Sequence, residues 1–270
     1  MKLLLLAFQF LTIVPMRVRG DIADAEVSRS VVFFPAVGAV QGMLAVGAVH
    51  LSARFFGGEI APAMALLVLA ASNGGFHLDG LADTFDAMAV KSSGDDAGDT
   101  GRRLSVMKDG STGPIGVMSI VFAVLLKFLL LKGLMLGLTR PAFYAFLFLM
   151  PVYSKWAMVP PMYHGVPARK EGLGKIFTGR IGMGTVVLSS CMTIIVSVFV
   201  YALWLMGEYG PSLTPLPFVF LALLYLCGFL SAKYCTGIFG GVTGDIFGAI
   251  SEISEIFFLL GVSAWLLRSI

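Results

Sequence analysis

The sequence predicts an all-α fold: a polytopic integral membrane helical bundle of six or seven spans with an N-terminal interfacial helix. Three observations predict it. Hydrophobic residues make up 57% of the chain and charged residues 13%, with a mean hydropathy of +0.90, whereas soluble domains average about 25% charged residues. Apolar runs approaching the ~20 residues needed to cross a bilayer recur along the whole length. The basic residues, finally, crowd into alternate connections. One membrane domain over residues 1–270 accounts for this pattern. The net charge of +3 gives no case for nucleic acid. Cys191, Cys227 and Cys235 lie in or beside apolar runs without CxxC spacing, which argues against a disulfide or a zinc site.

Residues 3–14, LLLLAFQFLTIV, are too short to span comfortably. Arg17 and Arg19 just beyond them resist translocation, so the segment reads as an interfacial or re-entrant helix closed by Pro15 rather than a cleaved signal. Val31 to Leu51 is the first span, with Gly38, Gly42 and Gly47 permitting close helix contact. His50 near its end reads as interfacial rather than as a ligand. The second span runs from Ile60 to His77 and delivers GGFHLDGLADTFD. Residues 87–106 are polar and rich in Gly and Ser, and Asp95, Asp96 and Asp99 read as solvated charges in a mobile loop. The third span, Ile115 to Leu131, carries Lys127, and the fourth, Pro141 to Val159, carries Lys155. Buried cations face a cavity or a partner, and snorkelling accounts for Lys155 as well as function does. A basic loop, residues 160–180, precedes the fifth span, Ile181 to Met206, and the sixth, Leu216 to Leu230. A last apolar helix opens near Asp245 and carries Glu252 and Glu255.

Placing residues 15–30 in the cytoplasm and alternating the spans turns residues 15–30, 79–112, 161–180 and 233–245 inward. Those loops hold twelve Lys and Arg, against Arg54, Lys132, Arg140 and Arg268 outward. This satisfies the positive-inside rule and gathers every acidic and glycine-rich motif on one cytoplasmic face.

Asp79, Asp83 and Asp86 share an arc of roughly 60° on one helix face. Three like charges there repel, and a divalent cation with hard oxygen ligands, such as Mg²⁺, resolves the conflict. Asp245 is the fourth candidate ligand. Gly241 and Gly244 leave backbone bare for a phosphate or a neighbouring helix. Two carboxylate-bearing helix starts, two basic glycine loops and no nucleophile beside a base point to phosphoryl transfer, which depends on positioning and charge neutralisation. Arg103 and Lys108 would offset charge on a leaving phosphate. The base is Asp83 or Asp86 if one of them stays outside the metal shell, with His77 as competitor.

HLDGLADTFDA, RRLSVMKDGSTGPIG, EGLGKIF and GGVTGDIFGAISEISE, in that order, resemble the cobalamin synthase family, the adenosylcobinamide-GDP ribazoletransferases of bacteria and archaea. The resemblance covers nearly the whole chain, including FLTIVP near the N-terminus. It implies a multi-pass enzyme of the cell inner membrane, acting late in coenzyme B12 assembly with its active site facing the cytoplasm. The implied reaction joins adenosylcobinamide-GDP to α-ribazole or its 5′-phosphate, releases GMP and uses Mg²⁺. It also makes other cobalamin-assembly enzymes candidate partners. The matched motifs supply the substrate-binding candidates Gly80, Arg102, Asp109, Gly113, Glu171, Gly172, Gly241, Gly244 and Glu252. Ser111 stands where the family often carries a basic residue, so no phosphate contact is assigned to it. DGLAD is also similar to part of the CDP-alcohol phosphotransferase pattern, the enzymatic alternative. An ion-coupled transporter, which would place acids at the bilayer midplane within an inverted repeat, is the alternative from another class.

Overall fold

The computed structural model describes residues 1–18, 20–205 and 216–269; Arg19 and the fifth predicted span's end at Met206 lie outside them. The helices are α1 (Lys2–Leu11), α2 (Asp24–Arg29), α3 (Phe34–Phe56), α4 (Ala61–Ser72), α5 (Phe76–Met88), α6 (Asp96–Val106) and α7 (Pro114–Gly137). They continue as α8 (Arg140–Ala157), α9 (Val159–His164), α10 (Leu173–Phe177), α11 (Met183–Val200), α12 (Leu216–Phe239) and α13 (Gly244–Ser269). Among the described residues six helical segments are long and apolar enough to cross a membrane, and a seventh crossing results if α4 and α5 form one bent span. The short apolar α1 falls below spanning length and packs beside α2 and α3.

The predicted straight span from Ile60 to His77 is broken. α4 and α5 meet at 86°, because Gly74 and Gly75 take φ of +66° and +78°, a region that side chains disfavour. The Asn73 side-chain carbonyl accepts the Gly75 N–H at 2.9 Å and closes the turn. Hydropathy is blind to this break, since glycine interrupts the backbone without interrupting the apolar run.

α8 is the innermost helix, buried along nearly its whole length. α3 lies against it backbone to backbone: a Cβ on Gly38 would stand 2.4 Å from the Pro151 carbonyl oxygen, and one on Gly42 2.3 Å from that of Phe148. Gly47, the third small residue, faces open space. α7, α11 and α12 turn apolar side chains such as Phe122, Leu188 and Leu223 outward, as lipid contact requires.

Charge is nevertheless held deep inside the bundle. Lys127 Nζ on α7 lies 2.5 Å from Glu252 Oε2 and 2.9 Å from Glu255 Oε2 on α13. Lys155 on α8 is 1% exposed, so it does not snorkel. Its ammonium reaches Ser251 Oγ at 3.0 Å, His77 Nδ1 at 3.2 Å and Glu255 Oε1 at 3.8 Å. Two cations and two carboxylates therefore neutralise one another where four helices meet.

Asp99 corrects the sequence reading of the polar loop. Asp95 and Asp96 are exposed, but Asp99 is 1% exposed. It accepts bonds from Ser92 Oγ at 2.6 Å, Ser93 N at 2.9 Å, Ser93 Oγ at 2.8 Å and the Arg102 guanidinium. The Ser92 hydroxyl, followed by Ser93 and Arg102, holds its carboxyl well below the usual carboxylate range. A depressed carboxylate stabilises the fold above its unfolded pKa, about 3.9, and loses that contribution as pH falls through the folded value. The loop's attachment is therefore expected to be insensitive to pH from 5 upward by this group. Asp99→Asn should expose residues 89–96 to limited proteolysis at neutral pH; an unchanged cleavage pattern would show that the loop is anchored elsewhere.

Candidate active site

The four sequence motifs converge at one end of the bundle. α5 runs against the start of α13, with Gly80 at the crossing: a Cβ there would stand 2.5 Å from the Asp245 carbonyl oxygen and 3.0 Å from its Cα. This brings Asp245 beside Asp79 and Asp83, although 162 residues separate Asp83 from Asp245. Both neighbouring atoms are backbone and have little room to yield, and overpacking costs typically 1–3 kcal/mol. Gly80→Val is therefore expected to lower the unfolding temperature and to reduce turnover at least tenfold. A normal melting curve and normal turnover would mean that the helices do not need this contact.

Asp86 reaches the start of α7, where its Oδ2 accepts the Gly113 N–H at 2.6 Å and its Oδ1 the Gly116 N–H at 2.8 Å. A carboxylate at a helix N-terminus satisfies orphan donors and complements the dipole. Asp86 thereby ties the DGSTGPIG loop to the acidic helix, and a side chain on either glycine would collide with its carboxylate. Lys108 and Asp109 on that loop are exposed, and Asp109 accepts a bond from Ser111 Oγ at 3.1 Å.

α6 is held to the end of α12. Arg103 Nη1 and Thr100 Oγ1 both donate to the Ile238 carbonyl, at 3.3 and 3.4 Å. The Arg103 Nε is buried and has no hydrogen-bond partner among the described residues. Arg102 points instead to Asp99 and Ser93.

The remaining two motifs meet through their backbones. Val242 N donates to the Val166 carbonyl at 2.7 Å, and Ala168 N to the Val242 carbonyl at 3.2 Å. Gly241 lies so close that a Cβ would be 2.4 Å from the Val166 oxygen. Gly172 caps α10, and Leu173 at the start of that helix packs over Gly244. Glu171 beside them is exposed. This pairing brings in Arg169, which sequence spacing did not single out. Its guanidinium stands 3.9 Å from Asp245 Oδ2 and donates to the Leu104 carbonyl at 3.0 Å. Its presence in a basic loop was the signal available; its target was not.

Asp83 sits half-buried within electrostatic reach of Asp79, Asp245 and Asp86, with Arg169 as the opposing charge. Among the described residues no three His, Cys, Asp or Glu side chains stand close enough together to hold a metal ion as placed. The acids are gathered but not closed into a cage. Their chemistry still suits a hard cation: all are carboxylates, and one guanidinium opposes several negative charges.

Two candidates lie apart from this end. His77 is buried, and its Nδ1 faces the Lys155 ammonium and, at 3.3 Å, the Asn73 amide nitrogen. Both neighbours are donors, so Nδ1 accepts and is engaged. Glu252 lies two turns below Asp245, paired with Lys127.

Residues 3–263 match a family model described as cobalamin-5-phosphate synthase. The chain belongs to that family. Its similarity to adenosylcobinamide-GDP ribazoletransferases extends end to end. It is 34% identical to that of Thermodesulfovibrio yellowstonii over 266 residues, covering 97% of each chain. It is 31% identical to that of Geotalea daltonii, covering 98% of each. It is 33% identical to that of Escherichia coli O17:K52:H18, covering 92% of this chain and 93% of the relative. No solved structure matches it. Membership favours neither the CDP-alcohol phosphotransferase nor the transporter alternative.

Proposed function

We propose that the chain is an adenosylcobinamide-GDP ribazoletransferase, joining adenosylcobinamide-GDP to α-ribazole or its 5′-phosphate and releasing GMP. The observation that carries this reading is the convergence of the four family motifs on one acidic, glycine-lined end of the bundle. A ribose hydroxyl forms the new bond to the phosphorus attached to cobinamide. The bond from that phosphorus to the GMP oxygen breaks, and the bonding pair leaves with GMP. The hydroxyl proton passes to a carboxylate of the cluster, for which half-buried Asp83 is best placed.

Asp79 and Asp245 would hold Mg²⁺, leaving Asp83 outside the metal's inner shell to take the proton, while Asp86 spends one lone pair of each oxygen on backbone N–H groups. When bound, the ion supplies charge neutralisation at the pyrophosphate. Arg169, 3.9 Å from Asp245 Oδ2, would offset negative charge on the departing phosphate, and Arg103, whose Nε is unpaired among the described residues, is the second candidate for that role. Exposed Lys108 lies just ahead of the loop that Asp86 anchors and would add a third cation for the phosphate. The excess of Lys and Arg in the loops at this end supports a site facing the cytoplasm from the inner membrane, where nucleotide substrates are found.

The test is incubation of the purified protein with adenosylcobinamide-GDP, α-ribazole and Mg²⁺, followed by mass spectrometry. GMP and a cobalamin product in equal amounts are the expected result, with none in EDTA. Unchanged substrates would refute the assignment, and product formation undiminished by EDTA would refute the metal.

A further inference from the structure

A polar cavity lies at the opposite end of the bundle from the acidic site, and neither the transferase reading nor the family motifs involve it. It has a volume of about 580 Å³ and is lined by Val49, His50, Arg54, Met135, Arg140 and Tyr144, among others. These residues come from the end of α3, the end of α7 and the start of α8. α7 begins at the Asp86-anchored loop and runs 24 residues, ~36 Å at ~1.5 Å per residue. The cavity therefore sits one bilayer thickness from the acidic site, at the far boundary between apolar helix and water.

Its charge is one-sided. Arg54 and Arg140 both line it, no carboxylate does, and neither guanidinium has an ion-pair partner among the described residues. Lys132, the neighbouring cation, is taken up by Glu59. Two of the four basic residues assigned to this side of the chain thus converge on one cavity. His50 Nδ1 and the Tyr144 hydroxyl, 3.4 Å apart, add polar groups. Phe55, Phe56, Leu51 and Leu136 stand exposed around this end, as side chains facing lipid do. Guanidiniums bind phosphate oxygens through paired N–H donors, the same chemistry by which basic pockets between helices on the cytoplasmic side of membranes hold anionic head groups.

We infer that this cavity binds the phosphate of an anionic phospholipid, with Arg54 and Arg140 as its ligands and the acyl chains lying along the exposed apolar faces beside it. The lipid is favoured over free phosphate because the cavity opens among apolar side chains that a soluble ion would leave uncovered.

Native mass spectrometry of the intact, detergent-purified protein tests this with three separate probes: phosphatidylglycerol, phosphatidylethanolamine and inorganic phosphate. Phosphatidylglycerol should be retained about tenfold more than phosphatidylethanolamine. Arg54→Gln/Arg140→Gln should abolish that preference without changing transferase turnover, while Lys132→Gln keeps it. Equal retention of the two lipids by the wild type would overturn the inference without recourse to any variant. So would a preference that survives in the double variant. Binding of inorganic phosphate that displaces the lipid would assign the cavity to the free ion and overturn the lipid assignment.

Discussion

Asp83→Asn is expected to lower turnover by about 10³-fold per folded molecule, in line with losing a preorganised charge from the proposed metal-assisted transfer. Asp83 is half-buried with three acids near it and one guanidinium opposing them. It is the best-placed acceptor for the hydroxyl proton, beside the carboxylates that would hold the ion. Asp245→Asn should cost nearly as much, because Gly80 lets α5 and α13 touch and places both acids in one cluster. The double variant should then be little worse than either single one, since residues acting as a unit lose their effect together. Asp95→Asn, exposed at the start of α6, is the control and should be nearly silent. If Asp245 only complements the dipole in the first turn of its helix, its loss would cost about 0.3–1 kcal/mol of stability and leave turnover of the folded fraction unchanged. Independent, multiplicative losses at Asp83 and Asp245 would separate the two acidic helices into different sites. Turnover normalised to folded protein for all four variants distinguishes these outcomes.

The largest expected effect on stability lies in the bundle interior. Lys127→Met leaves Glu252 without its only ion-pair partner among the described residues and takes the nearer of two cations from Glu255. Breaking a buried ion pair costs about 3–5 kcal/mol because the remaining charge is stranded. The variant should insert poorly and melt far below the wild type in detergent. Lys127→Met/Glu252→Gln should recover most of that loss, since it leaves the Lys155–Glu255 pair, 3.8 Å apart, electrically balanced. A double variant as unstable as the single one would mean that Lys127 matters for packing rather than for charge. Because the network touches α5 through His77 and α13 through Glu252 and Glu255, its loss should also disturb the acidic site. Turnover of the rescued double variant would reveal that coupling.

The acids of GGFHLDGLADTFD were legible as a group because their spacing alone places them on one helix face. Whether each was free to act was not legible. Asp86 is bonded to Gly113 and Gly116, some thirty residues on, and spacing within α5 contains nothing about those partners. Asp99 was misread for a different reason: its partners are local, but a polar stretch does not reveal that its own loop wraps it. Lys155 was ambiguous because a lysine near a helix end can reach water, and only the packing around α8 denies it that route.

The chain's own sequence determined the membrane class, the positions of most spans, the acidic helix and the family. Hydropathy, charge asymmetry and motif order are local properties, readable without knowing what any residue touches. Only the tertiary structure decided that the span from Ile60 breaks at Gly74–Gly75. It alone joined Asp245 to Asp83, brought Arg169 to the acids and buried Glu252 against Lys127. Those outcomes depend on side chains and backbones more than sixty residues apart, or on a glycine conformation that composition leaves open. Helix packing selects among them, because a charge or a bare backbone in lipid must find its partner inside the protein.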